Sequence, residues 1–202
     1  MTFKKMSRHR SKLETILNSI SVYGNVLDIG GLQKSIIGRI SSKSEILEYK
    51  ILDLPHPHTK TLLEADISFD IESTDMSILD TVNLNLDAIF CIEVSLYWSN
   101  PVQALCNISK LMTEDTILYI NFHQNYAIQK PDNLDFLRYT DSVVQKYFSE
   151  NDLIVVDVVP TYLNNLSKIA LNIFWRSEKM RKSKIYKYHY VSSIFYKVRK
   201  ST

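Results

Sequence analysis

The run LDAIFCI, Leu86–Ile92, is apolar at every position except Asp87. A strand with one face in water would alternate. This run instead predicts a strand covered on both faces, the condition of a mostly parallel sheet held between layers of helix. The rest of the chain fits. Short apolar runs predict further strands at Val26–Ile29, Tyr49–Leu52, Leu62–Ala65, Thr116–Phe122, Leu153–Val159 and Tyr188–Val198. Pro55 and Pro57, after Asp53, stop the second of these. Between the strands the period changes. Leu13, Ile16, Leu17 and Ile20 mark an amphipathic helix over 8–20, and Ile36, Ile37 and Ile40 predict another soon after the first strand. In SNPVQALCNISKLM, Ser99 or Asn100 can cap and Pro101 suits the first helical position. Val102, Leu105, Ile108 and Met112 share a face of that helix. Thr140 can cap a helix carrying Val143, Val144, Tyr147 and Phe148, and residues 166–180 have a helical pattern. Strand and helix alternate without a convincing linker or repeat, so one α/β domain is expected over residues 1–202.

Bulk properties narrow the class. The chain has 202 residues and a hydrophobic fraction of 45%, enough for one sizeable core. It holds no apolar run of about 18 residues, so no membrane span is expected. The basic start MTFKKMSRHRSK is followed by no apolar core of a signal sequence. Cys91 and Cys106 make no disulfide framework and read as reduced residues of a cytoplasmic protein. Charge is uneven. Residues 1–40 hold 7 Lys/Arg against 2 acids, and residues 176–202 hold 9 against 1. Basic ends suit either solvated termini or an anionic partner.

The glycines indicate where a ligand would sit. Only 4 occur in 202 residues, yet Gly24, Gly30 and Gly31 fall within eight positions around VLDIGGLQ. In a parallel sheet ligands bind beyond the carboxyl ends of the strands, and the first strand–helix turn is the usual contact. Glycine there admits positive φ and close approach. The dinucleotide pattern G-x-G-x-x-G is absent, and so is the phosphate loop. What remains is a strand, an acid, one residue and a glycine. Asp28 at a strand tip would set a carboxylate near a cation. That disfavours a phosphate cofactor and favours a sulfonium with a free amino group. Asp53, 25 residues on, can accept from both hydroxyls of a ribose, and Asp66 in EADIS can reach an adenine amino group. Glu93 ends the fourth predicted strand.

VLDIGG, ILDLPHPHTKTLLEADIS and LDAIFCIEVSLYWSNPVQALCNISKLMTEDTILYINFH together resemble class I S-adenosylmethionine-dependent methyltransferases, over roughly residues 24–160. PDNLDFLRYTDSVVQKYF is similar to a segment of members encoded with sugar- and polysaccharide-modifying enzymes. The resemblance implies a Rossmann-like three-layer sandwich: a seven-stranded, mostly parallel sheet with helices on both faces and the last strand antiparallel. An N-terminal helical segment (1–23) would precede a cofactor-binding core (24–160), followed by a C-terminal helix and final strand (161–202). It further implies that Asp28, Gly30 and Gly31 line the methionine end of S-adenosyl-L-methionine. Asp53 would bind its ribose with Leu54 packing nearby, Asp66 and Ile67 would frame the adenine, and Ile92 and Glu93 would close the floor. The sequence departs from the family pattern twice. Leu32 stands in place of the last glycine of D-x-G-x-G, and Val94-Ser95-Leu96-Tyr97-Trp98 replaces the usual V-L-E-H after the fourth strand.

Methyl transfer to a hydroxyl needs alignment and a base. His123, at the end of the fifth predicted strand, is the candidate base; a loop histidine that orients a neighbour is the structural alternative. Tyr97, Asp135, Arg138 and Tyr139 are candidates for the acceptor site. For Asp135 and Arg138 the alternative is an ion pair fixing the segment before Thr140. His56 and His58, near Asp53 and Asp66 in a proline-broken loop, do not have the spacing of a metal site, so no metal is expected. Tyr186, Tyr188, Tyr190 and Tyr196 can stack on a sugar or base, or pack in a strand. The expected acceptor is a small molecule or saccharide. Two alternatives stand beside it: a non-catalytic partner of the same fold, which the two departures suggest, and an RNA methyltransferase, which the basic ends suggest. An N-P-P-Y-type motif after the fourth strand is missing, so nucleic acid is the weaker choice. Nothing in the sequence specifies an oligomeric state.

Overall fold

In a computed structural model, Tyr23–Ile29 (β1), Glu45–Asp53 (β2), Ile67–Ser68 (β3), Ala88–Cys91 (β4), Ile117–His123 (β5), Leu153–Tyr162 (β6) and Val191–Lys200 (β7) form one sheet in the order β3-β2-β1-β4-β5-β7-β6. All neighbours are parallel except β7, which runs antiparallel to both β5 and β6. This is the expected architecture. The structure describes residues 8–55, 64–80, 84–124, 135–162 and 191–201. The predicted helix 166–180, His56, His58, Leu62, Leu63, and the start of the last predicted strand with Tyr186, Tyr188 and Tyr190 lie outside the described residues. Among the described residues no helix is long and apolar enough to cross a membrane.

The central strands are apolar on both faces because each face has its own core. Leu27, Ile89 and Leu118 enter one layer, with Leu105 and Ile108 of helix α3 (Pro101–Leu111) and Val144 and Phe148 of helix α4 (Asp141–Ser149). A short helix, α2, lies at Ser77–Asp80. The neighbouring residues Val26, Ala88 and Tyr119 enter the opposite layer, with Leu13, Ile16 and Leu17 of helix α1 (Arg8–Asn18). There Phe90 stacks on Tyr119, centroid to centroid 4.8 Å. Caps form as expected: the Asn100 side chain accepts from Gln103 N, and that of Thr140 accepts from Val143 N. Val102 and Val143, expected on buried faces, are 38% exposed.

Two elements differ from the sequence reading. The helix expected at Ile36, Ile37 and Ile40 is a run of turns. Gly38 adopts φ 78°, which no right-handed helix allows, although a Cβ there would meet nothing. The Asp28 carboxylate takes the amide of Ile36 at 2.7 Å, and Ser35 Oγ takes that of Ile37 at 3.1 Å, so side chains replace the helical ladder. Ile36 and Ile40 still point into the core, while Ile37 is exposed. The third strand lies at Ile67–Ser68 rather than at Leu62–Ala65; Glu64 and Ala65 are irregular. Its register is set by pairing Leu52 with Ile67 and Asp53 with Ser68.

Candidate active site

The strand order reverses between β1 and β4, and a cavity of about 380 Å³ opens beyond the carboxyl ends of the strands at that point. Register explains why these ends converge: Ile29 pairs with Leu52 on one side and Cys91 on the other, so β1, β2 and β4 finish side by side.

Gly30 forms the turn at the tip of β1. It has φ 75°, its amide donates to Leu52 O at 2.8 Å, and a Cβ would come within 2.5 Å of Val94 Cγ2. Glycine is therefore required by both conformation and space. Gly31 serves a different purpose. It does not line the cavity, and a Cβ there would collide with the Asp28 carboxylate. Asp28, expected at the cofactor, is not among the residues that line the cavity. It is 3% exposed and accepts from Ile36 N and, at 2.6 Å, from Tyr49 Oη. Burial pushes its pKa up to about 6 against the pull of those hydrogen bonds. Leu32, at the position of the missing glycine, is buried and does not form the cavity wall, so it does not narrow the space. Its amide instead donates to Asp53 Oδ2 at 3.3 Å.

Asp53 ends β2 on the cavity wall, with Oδ1 accepting from Leu54 N at 2.8 Å. Its carboxylate is thus oriented by two backbone amides. Leu54, Ile92, Glu93, Tyr97 and His123 also line the cavity. Asp66 and Ile67 do not. Asp66 Oδ2 accepts from Ile51 N at 2.7 Å, and Ile67 is in the core. The wall there comes from Phe69–Glu72, which follow β3. The sequence reading started this strand five residues early, so the residues it took for the following loop are Asp66, just before the strand, and Ile67, its first residue.

Asp135, Arg138 and Tyr139 lie off the cavity. Arg138 forms a two-pronged pair with Asp135. Tyr139 is buried, its hydroxyl donating to Ser95 O at 2.7 Å and its amide to His123 O at 2.8 Å. These bonds tie the segment to the turn Ser95–Tyr97 and bring Phe136 to the cavity. Tyr97, Trp98 and Phe136 make an aromatic side of the cavity near His123. Burial, then the charges of Asp135 and Glu93, push the Tyr97 phenol up, so it stays protonated. Trp98 Nε1 is buried with no hydrogen-bond partner among the described residues, a donor that a ligand oxygen can satisfy.

Sequence reasoning missed Arg10, Lys34 and Arg39, which also line the cavity. Arg10 arrives from α1, across the sheet order, and no local signal in the sequence marks that approach.

Comparison with solved structures finds the same fold at low sequence identity. An S-adenosylmethionine-dependent methyltransferase from Clostridium acetobutylicum is 13% identical over 100% of this chain and 93% of that one, with a TM-score of 0.54. The mitomycin 7-O-methyltransferase MmcR is 12% identical, TM-score 0.57, and the match covers 95% of this chain but only 53% of MmcR. The fold is that of class I S-adenosylmethionine-dependent methyltransferases. A [4+2]-cyclase, SpnF, shares this methyltransferase fold with TM-score 0.58 and 13% identity over 95% of this chain and 80% of SpnF, so the architecture does not fix the reaction. No protein-family model and no curated protein sequence matches the chain.

Proposed function

We propose that the protein is an S-adenosyl-L-methionine-dependent methyltransferase acting on a hydroxyl of a small-molecule or saccharide acceptor. The observation that carries this reading is Asp53: a carboxylate at the tip of β2, oriented by the amides of Leu32 and Leu54, facing a cavity at the point where strand order reverses. It is suited to accept from the two hydroxyls of a ribose. Gly30 lets the backbone approach the ligand, and Phe69 and Ile71 offer apolar walls to a base beside the Asp70 carboxylate. The residues present therefore fit an adenosyl cofactor, which when bound supplies the electrophilic methyl group.

The chain's own task is alignment and proton removal. Tyr97 and Phe136 offer aromatic surface to the apolar face of a sugar ring. His123 ends β5 inside the cavity, fully buried, and acts as the base for an acceptor hydroxyl. A cytoplasmic location fits the two free cysteines, Cys91 and Cys106.

Calorimetric titration with S-adenosylmethionine and its demethylated product, S-adenosylhomocysteine, tests the cofactor. Micromolar binding is expected, weakened at least about 30-fold in Asp53→Ala, where two charge-assisted hydrogen bonds of roughly 1–2 kcal/mol each are lost. A folded protein that binds neither compound refutes the reading. Transfer of a labelled methyl group to nucleotide sugars then tests the acceptor.

A further inference from the structure

The ladder between β4 and β5 ends where Cys91 pairs with Ile120. Beyond it the chain leaves the sheet at Glu93, which adopts φ 64°, the left-handed region that a non-glycine residue avoids. A buried side chain of β5 holds it there. Asn121 Oδ1 accepts from the Glu93 amide at 2.7 Å and so takes the place of a ladder bond. The main-chain oxygen of Asn121 accepts from Ser95 Oγ at 2.9 Å. Glu93 N–H needs an acceptor, so the amide oxygen of Asn121 faces it, and Nδ2 is left to donate to Ser193 Oγ of β7 at 3.3 Å. One fully buried residue thus grips the turn after β4 at two points and β7 at a third.

The turn carries much of the cavity wall. Glu93, Val94, Leu96, Tyr97 and Trp98 line the cavity, whereas Asn121 and Ser95 do not. Glu93 also pairs with Arg10 of α1. Phe136 N donates to Leu96 O at 3.0 Å, and Tyr139 Oη to Ser95 O, so the second aromatic segment is docked on the same turn. Val94 packs on the tip of β1, close enough that a Cβ on Gly30 would meet its Cγ2 at 2.5 Å. The strained φ of Glu93 is not a shape this turn would keep unaided. A β-branched residue would suit the strand interior between Ile120 and Phe122 better than Asn does. Asn121 breaks that local preference, and what it secures is the turn.

We propose that Asn121 is a positioning residue for the acceptor: by holding Glu93 and Ser95 it sets where Tyr97 and Phe136 stand, and so which acceptors the cavity takes. The proposal rests on the reading above that these two aromatic side chains receive the acceptor. Asn121 acts through the turn and touches no ligand itself. Without Oδ1, Glu93 relaxes out of the left-handed region and its amide turns to water. That relaxation releases strain, so the turn moves while the sheet keeps its packing. A neutral Asp at the same position presents a carbonyl oxygen and an O–H where Asn presents its oxygen and NH₂, and burial favours the neutral form. Asn121→Asp therefore keeps the tie to Glu93.

Amide hydrogen exchange on the full chain, read by mass spectrometry, tests the positioning without an acceptor. Asn121→Leu keeps a similar volume and removes the acceptor oxygen. Residues 92–98 are then expected to exchange at least about tenfold faster than in the wild type, while β1 and α3 stay within about threefold. Asn121→Asp should bring residues 92–98 back to within about threefold of the wild type at pH 5.5. Ser95→Ala, which cuts the second tie alone, should speed the same residues by a smaller factor. Transfer of a labelled methyl group to nucleotide sugars reads the consequence. Asn121→Leu should raise the acceptor KM at least about tenfold, and by more than it raises the KM for S-adenosylmethionine, with Asn121→Asp restoring both. The proposal is overturned if exchange speeds up equally in the turn, β1 and α3, which is the mark of a merely structural residue. It is also overturned if the turn loosens and the acceptor KM does not change. A wild type that methylates no nucleotide sugar overturns the acceptor reading and the consequence for specificity with it, and the exchange rates alone then decide whether Asn121 holds the turn.

Discussion

At Asp28, burial and hydrogen bonding pull in opposite directions. The carboxylate accepts from Ile36 N and Tyr49 Oη, which favours the ionised form, yet burial dominates and lifts its pKa to about 6. An unfolded aspartate titrates near 3.9. Below about pH 4 both states are protonated and the group costs nothing. Between about pH 4 and 6 the unfolded chain ionises first, so stability falls as pH rises. Above about pH 6 the full cost of roughly 3 kcal/mol is present. Asn keeps one acceptor oxygen and carries no charge. Asp28→Asn is therefore expected to raise stability at pH 7.5 by up to about 2 kcal/mol, and by nothing near pH 4.5, in urea unfolding at the two pH values. Equal losses at both would show that the hydrogen bonds outweigh the burial. Sequence reasoning placed Asp28, Gly30 and Gly31 together at the methionine end of a cofactor. In the structure Gly31 makes room for Asp28, and Asp28 holds the turns that follow.

Helix α1 brings Arg10 to the cavity. Its apolar stripe of Leu13, Ile16 and Leu17 packs under the sheet, and this was legible from spacing alone. Its polar side was not. Glu14 pairs with Lys34 at 2.5 Å and with Arg39 at 3.1 Å, tying α1 to the loop after β1. Burial would raise the Glu14 pKa, but the hydrogen bonds and charges of Arg39 and Lys34 outweigh it and hold the carboxyl below its usual range. Its contribution is accordingly present at neutral pH and lost in acid, as the pH falls through that lowered pKa. Glu14→Gln is expected to cost about 1 kcal/mol at pH 7 after screening, less in high salt, as read from thermal unfolding at two ionic strengths. An unchanged midpoint at low salt would mean that the apolar stripe alone positions the helix.

For the whole molecule, the cavity lies where three strands end and a helix from the far layer reaches over. A ligand there braces several elements at once and binds only the folded state. S-adenosylhomocysteine at about 100 times its dissociation constant should add about 2.7 kcal/mol, raising the unfolding midpoint by roughly 5–10 °C for a chain of this size. Asp53→Ala should lose most of that rise at the same concentration. A wild-type midpoint that does not move at any concentration would contradict binding in this cavity.

Local pattern alone determined a good deal about this protein. Strand after strand was readable because a doubly covered strand must be apolar throughout, and helices because their buried faces repeat every three to four residues. The carboxylate at Asp53 and the turn at Gly30 were readable because strand tips and glycines carry their geometry with them. Tertiary structure decided the rest. The helix expected at Ile36–Ile40 gave way to side-chain hydrogen bonds from Asp28 and Ser35, and a strand of two residues, Ile67–Ser68, exists only by pairing with β2. Arg10 meets Glu93 only because the sheet brings the far helix to the end of β4. Such contacts depend on distances between residues remote in sequence, and one-dimensional spacing carries no measure of those.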